Sequence, residues 1–157
     1  MDHKYLNIYN NLIKLTRNKS LYLNIIGEES FSDRIIFLLL HLSFFLKIYK
    51  SPQNKDLMQD IHDFVFRQIE LSIREIGYGD VSVNKKMKEN INLFYSILEK
   101  IENWEKMEKK QKLFLIADLI NIDKDNDLLA IYFDNFREFL LNNPLKIFTK
   151  DILELKF

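Results

Sequence analysis

The sequence predicts an all-α fold: a single compact multi-helix bundle of about seven helices, forming one domain over residues 1–157. Three observations carry this. Only three glycines and two prolines occur in the chain, too few turn residues for a sandwich or a barrel. Apolar residues recur at spacings of three and four through most of its length. Hydrophobic residues make up 47% and charged residues 29%, a composition able to bury a core.

The first helix is expected from His3 to Leu15, where Tyr5, Ile8, Tyr9, Leu12 and Leu15 share a face. A short second segment covers Ser20 to Ile26 and is stopped by Gly27. The third starts after Ser32, read as its N-cap, with Asp33 in the first turn, and ends before Pro52. It is apolar nearly all round from Ile35 to Leu46, as the buried centre of a bundle is.

The fourth helix is expected to follow Ser51, with Pro52 at its first position. Leu57, Ile61, Phe64, Val65, Ile69, Ile73 and Ile76 form its stripe. Asp63–Arg67 and Glu70–Arg74 are spaced to pair on the opposite face, and Gly77 stops the helix. The fifth runs from about Asn84 to Trp104, with Met87, Ile91, Phe94, Leu98 and Ile101 as its seam. The charged stretch Glu105 to Lys112 either continues it or bridges to a sixth helix over Leu113 to Ile122. After an acidic loop, a seventh covers Leu128 to Leu141, with Leu129, Tyr132, Phe133, Phe136 and Leu140 inward. Pro144 opens a last segment whose type the pattern leaves open.

Several function classes are excluded. With no cysteine there is no disulfide, thiolate metal site or cysteine nucleophile. Twenty-three basic side chains balance 23 acidic ones, so the whole chain lacks the basic excess of a nucleic-acid binder. The longest apolar run, Ile35 to Leu46, spans about 18 Å as a helix, short of the ~30 Å membrane core. A soluble, cytoplasmic protein is expected, with room for peripheral contact at a membrane. Charge is uneven along the chain: four basic and one acidic residue over 1–27, five basic and eight acidic over 113–157. Solvated faces are the ordinary account; orientation at an anionic surface is the functional one.

No catalytic pattern is present: no GxSxG, no Gly-rich phosphate loop and no HExxH. An enzyme and a bound cofactor are therefore not expected. His41 lies in the most apolar helix, where a core histidine bonded to a neighbouring helix is expected ahead of a haem or metal ligand. Asp123, Asp125 and Asp127 alternate as calcium ligands do. The EF-hand glycine and glutamate are replaced by Leu128 and Asp134, so a solvated capping loop is expected.

The most informative stretch is IREIGYGDVSVNKKMK, Ile73 to Lys88. Gly77 suits a left-handed helix end, Gly79 a second tight step, and Asp80 or Ser82 a cap for the next helix. Arg74 favours the end of its helix. Lys85, Lys86 and Lys88 fall in the first turns of the next one, the wrong end for cations on dipole grounds. The alternatives are a role with an anionic partner and a merely exposed patch.

This stretch resembles the ubiquinol–cytochrome c chaperone family, whose hallmark is LREMGVGD, a basic step and an FYGR-like end. Ile73, Arg74, Glu75, Ile76, Gly77, Tyr78, Gly79 and Asp80 match the first part, and Lys85, Lys86 and Lys88 the basic step. Phe94 and Tyr95 match the aromatic pair. Asp63 with Phe66 is similar to the family's LFDxxF element, and Asp33, Arg34 and Leu38 to His41 to its DxR…LLLH helix. The likeness covers about residues 32–95. Ser96 and Ile97 stand where Gly-Arg is usual, Tyr78 where Val is, and Gln68 to Ser72 where the family has DMDRS.

The resemblance implies a non-enzymatic assembly chaperone that binds newly made cytochrome b during biogenesis of the ubiquinol–cytochrome c reductase complex (complex III). It implies cytochrome b, nascent or partly assembled, as client, with the ribosome and a small partner protein as further partners. Arg74, Glu75, Gly77, Gly79, Asp80, Lys85, Lys86 and Lys88 are the candidate partner-binding residues. An exposed groove for apolar helices is also implied. Phe37, Phe44 and Phe45, or Phe133, Phe136 and Phe139, are candidates for its walls, against the ordinary reading of them as core. The alternative function, resting on the same lysines, is a helical RNA- or ribosome-binding adaptor.

Overall fold

In the computed structural model, residues 3–150 are described. Six α-helices occur among them: α1 (His3–Thr16), α2 (Phe31–Tyr49), α3 (Lys55–Glu75), α4 (Asp80–Ile101), α5 (Lys109–Ala117) and α6 (Leu128–Asn142). Two 3-10 segments, Lys19–Tyr22 and Trp104–Lys106, lie between helices, and a third, Leu145–Thr149, follows α6. The all-helical expectation holds; the helix count is six, with 3-10 turns in place of the remaining segments. Among the described residues, no helix is long and apolar enough to cross a membrane.

The apolar helix is the axle of the bundle: α2 packs against α1, α3, α4 and α6. Ile35 and every residue from Phe37 to Phe45 are buried, polar Ser43 and His41 included. Each polar group is satisfied, as burial requires. Ser43 Oγ donates to the Leu39 carbonyl. A carbonyl only accepts, so His41 Nδ1 carries the proton and donates to Phe37 O at 2.7 Å. Nε2 is then free to accept from the Tyr132 hydroxyl of α6 at 2.6 Å. His41 is thus the core histidine expected.

Several boundaries differ from the sequence reading. The N-cap of α2 is Ser30, not Ser32: Ser30 Oγ accepts from Asp33 N–H while Asp33 Oδ2 accepts from Ser30 N–H. This reciprocal box needs the acid three residues after the cap, which Ser30 meets and Ser32 does not. Pro52 lies in a turn ahead of α3. Asn54 closes that turn, accepting from Ser51 N–H and donating to Tyr49 O, so the helix begins only at Lys55. Conversely, α4 begins at Asp80, before Asn84, and ends at Ile101. There Lys47 Nζ donates to the Ile101 and Glu102 carbonyls at 2.7 and 2.8 Å, satisfying the exposed helix end. The charged stretch after it divides: Glu105 to Glu108 bridge to the next helix, and Lys109 to Lys112 form the first turn of α5, ahead of the expected start at Leu113.

The segments expected as helix at Ser20–Ile26 and Leu113–Ile122 are each cut short because they pair with one another. Ile25 and Ile122 form an isolated antiparallel bridge, with Ile26 N–H on Asn121 O and Asp123 N–H on Asn24 O, both 2.9 Å. Of the segment after Pro144, Leu145–Thr149 form a 3-10 turn packed on α1: Asn11 Nδ2 donates to Phe148 O, and Phe148 is buried against Phe45 and Tyr49; residues 151–157 lie outside the described residues.

The expected stripes need correction in detail. On α3, Phe66 is buried where Phe64 is half-covered by Tyr5 and Tyr9, and Ile76 is exposed. On α4, Val83 and Ile97 are fully buried, and Met87 and Ile91 only partly. The five phenylalanines 37, 44, 45, 133 and 136 are fully buried, so they build the core rather than the walls of an open groove; Phe139 is half-buried and packs against that core.

Candidate functional site

The hallmark stretch forms the corner between α3 and α4, which run antiparallel. Gly77 has φ +107°, a conformation side-chain-bearing residues rarely adopt, and it reverses the chain as expected. Gly79 differs from expectation. It is the N-cap of α4 with an extended backbone, φ −76° and ψ 167°, open to any residue. Asp80 is the first residue of α4 rather than its cap, and Ser82 lies inside the helix. In the first turn, the Asp80 carboxylate is well placed for the helix dipole.

Arg74 ties the corner together. Its guanidinium pairs with Asp80 across the Gly77 turn and with Glu70 one helical turn back. Asp80 raises the Arg74 pKa further above its usual value. Glu70 also holds Arg67 at 2.9 Å; this replaces the expected Asp63–Arg67 pair. Asp63 instead accepts from Gln59 and His62, and the His62 ring N–H lowers its carboxyl pKa.

The candidate partner-binding residues therefore separate into two groups. Arg74, Gly77, Gly79 and Asp80 shape the corner. Lys85 and Lys88 are exposed and have no ion-pair partner among the described residues, and Glu75 is likewise exposed and unpaired. Lys86 is half-covered, its Nζ 4.5 Å from the Tyr78 ring centroid, a cation–π contact that holds the loop against α4.

Sequence reasoning missed what lies between these charges. Ile76, Tyr78 and Val81 are 53%, 43% and 86% exposed, an apolar tip on an otherwise charged corner. The signal was the departure of Tyr78 and Val81 from any helical stripe; Ile76 continues the spacing of the α3 stripe and gives no such signal. Two shallow grooves lie on the hairpin, the first of them at the tip. One, about 430 Å³, is lined by Phe31, Ile36, Ile73, Ile76, Tyr78 and Lys86. The other, about 500 Å³, runs down the α3–α4 face between Asp63, Phe66, Arg67, Glu70 and Lys88.

Two of the other matched elements, Asp63 with Phe66 and Phe94 with Tyr95, lie on the same hairpin, while Asp33, Arg34 and Leu38 to His41 lie on α2. Phe66 of α3 packs edge-on against Phe94 of α4 at 5.5 Å, and His62 lies against both rings. Tyr95 beside them is exposed. No group of three or more His, Asp or Glu side chains able to hold a metal occurs among the described residues. In the acidic loop, Asp123 accepts from Asp125 N–H and Asp127 pairs with Lys109. The side-chain bond to the first N–H of α6 comes from Asn126.

Comparison with known proteins agrees with the hairpin. The family model for ubiquinol–cytochrome C chaperones matches residues 27–113, from the turn before α2 into α5. No curated protein and no solved structure matches the chain. The matched span is over half the chain and contains the whole α3–α4 hairpin with its corner: the protein belongs to the ubiquinol–cytochrome c chaperone family.

Proposed function

We propose that this chain is a non-enzymatic assembly chaperone that holds newly made cytochrome b during biogenesis of ubiquinol–cytochrome c reductase, and that the α3–α4 corner is its client surface. Family membership supports the chaperone role. The observation that supports the surface is the apolar tip Ile76, Tyr78 and Val81 set beside unpaired Lys85 and Lys88. An immature membrane protein exposes apolar helix and charged loop together. A tip that is apolar at its point and cationic on its flank complements both.

Arg74, Asp80 and Gly77 act by presenting the tip, and Lys85, Lys86 and Lys88 by meeting acidic loop residues. Glu75 and Gly79 border the same surface. Contact with the inner membrane follows from where the client is made.

The test is a paired variant, Lys85→Glu/Lys88→Glu, and separately Val81→Asp. All three positions are exposed, so circular dichroism and the melting midpoint should not change. Cytochrome b recovered with the tagged protein from gently solubilised cells should fall severalfold, and assembled complex III with it. Undiminished cytochrome b and complex III in both strains would sink this assignment. Salt-sensitive co-sedimentation with ribosomes, lost in the lysine variant while cytochrome b is never recovered, would favour the RNA- or ribosome-binding adaptor instead.

A further inference from the structure

The far end of the same hairpin carries a second feature, distinct from the corner. A groove of about 720 Å³ opens where the end of α2, the start of α3 and the end of α4 meet. Its floor is apolar and aromatic, formed by Leu46, Met58, Phe94, Tyr95 and Leu98. Met58 and Phe94 are buried, while Tyr95 is 54% exposed.

The rim decides what fits. One wall carries Lys50 and Lys55, with Asp56 beside them leaving it net positive. The opposite wall, on α4, carries Glu99 and Glu102. None of these four lysine and glutamate side chains has an ion-pair partner among the described residues. Lys47, the other cation at the groove, is already committed to the carbonyls ending α4 and to Glu105 at 3.3 Å. The two walls thus present opposite charges across an apolar trough without neutralising each other.

A fatty acid or a porphyrin carries charge of one sign: its carboxylates can pair with Lys50 and Lys55 but leave Glu99 and Glu102 without a counter-charge. An amphipathic helix can carry acidic residues along one edge of its apolar stripe and basic residues along the other. We infer that this groove docks an amphipathic helix of a partner protein, its apolar stripe on Tyr95 and Leu98, its acidic edge toward Lys50 and Lys55, and its basic edge toward Glu99 and Glu102. The site goes beyond the client surface proposed above and does not depend on it. The protein so read holds two partners at opposite ends of one helical hairpin.

Three designed 18-residue helical peptides test this by fluorescence anisotropy, sharing a Leu stripe at i, i+4, i+7 and i+11. The first has Glu on one edge and Lys on the other; the second has Lys on both edges; the third has Glu on both. The wild-type chain should bind the first about tenfold more tightly than either of the others. Lys50→Glu/Lys55→Glu makes both walls acidic and should move the preference to the all-Lys peptide, a switch that a merely unfolded variant would not show. Leu98→Glu should weaken all three. Lys85→Glu/Lys88→Glu should change none of them, which separates this site from the corner. Equal binding of the three peptides, no binding at all, or displacement of the mixed-edge peptide by oleate or hemin would overturn the assignment. So would self-association through this face, detected by sedimentation and abolished by Leu98→Glu.

Discussion

Arg74 and Asp80 form an ion pair that spans the Gly77 turn and joins the last turn of α3 to the first of α4. The pair closes a loop whose apolar residues stand out in solvent. Both partners are exposed, so its contribution is to local order rather than to overall stability. Arg74→Ala or Asp80→Ala should leave the melting midpoint nearly unchanged while speeding hydrogen exchange at amides 76–80. The exchanged pair Arg74→Asp/Asp80→Arg should restore protection. Unaltered exchange in both single variants would show that the turn is held by its backbone alone.

The two corner glycines should answer differently to substitution. Gly77→Ala places a Cβ at φ +107° and should cost about 1–2 kcal/mol. Gly79→Ser, at an extended N-cap with nothing within 4 Å of the new Cβ, supplies a side-chain acceptor for an uncapped helix and should be neutral to stabilising by a few tenths of a kcal/mol. Urea melts of the two variants beside the wild type measure both.

His41 makes folding pH-dependent. Burial, the dominant cause, lowers its pKa from 6.5 to about 4, and the bond to the Phe37 carbonyl opposes that only in part. Between these values the unfolded chain binds the proton and the folded one does not. Stability is therefore complete above the unfolded value and falls as the pH drops from about 6.5 towards 4, by roughly 3 kcal/mol. His41→Gln cannot titrate there. Its stability should be lower at neutral pH, but the difference from wild type should shrink on acidification. A constant difference from pH 7 to pH 4 would contradict this account.

Asp134 of α6 accepts from two donors at 2.8 Å each, the Trp104 indole N–H and Lys112 Nζ. It thereby links α6 to α5 and to the turn that follows α4. Trp104 is 1% exposed, so Asp134→Ala leaves its N–H buried without a partner and should cost about 1–3 kcal/mol. Trp104 is the chain's single tryptophan, so its fluorescence reports the loss directly. The emission should shift and the unfolding midpoint fall together; an unchanged midpoint would assign Trp104's order to packing on Phe44 alone.

Much of the architecture is already present in the amino-acid order. The three-and-four spacing from Ile61 to Ile73 and from Phe94 to Ile101 reports which side of α3 and α4 meets the core. The unbroken apolar run of α2 marks it as the central helix. Gly77 marks the corner, and the resemblance of residues 32–95 to a chaperone family is read there too. These are properties of neighbouring residues on one helix, set by backbone geometry and by what water excludes. Where the helices end depended on residues far away in sequence: Lys47 on the Ile101 carbonyl, and Ile25 against Ile122. So did the use made of each side chain. Arg74 is shared between Glu70 and Asp80, the Tyr132 hydroxyl donates a hydrogen bond to His41, and the buried phenylalanines fill the core, leaving Ile76, Tyr78 and Val81 outside. A repeat in sequence encodes a face, but a hydrogen bond or an opposed pair of groove walls exists only once two distant segments have been packed together.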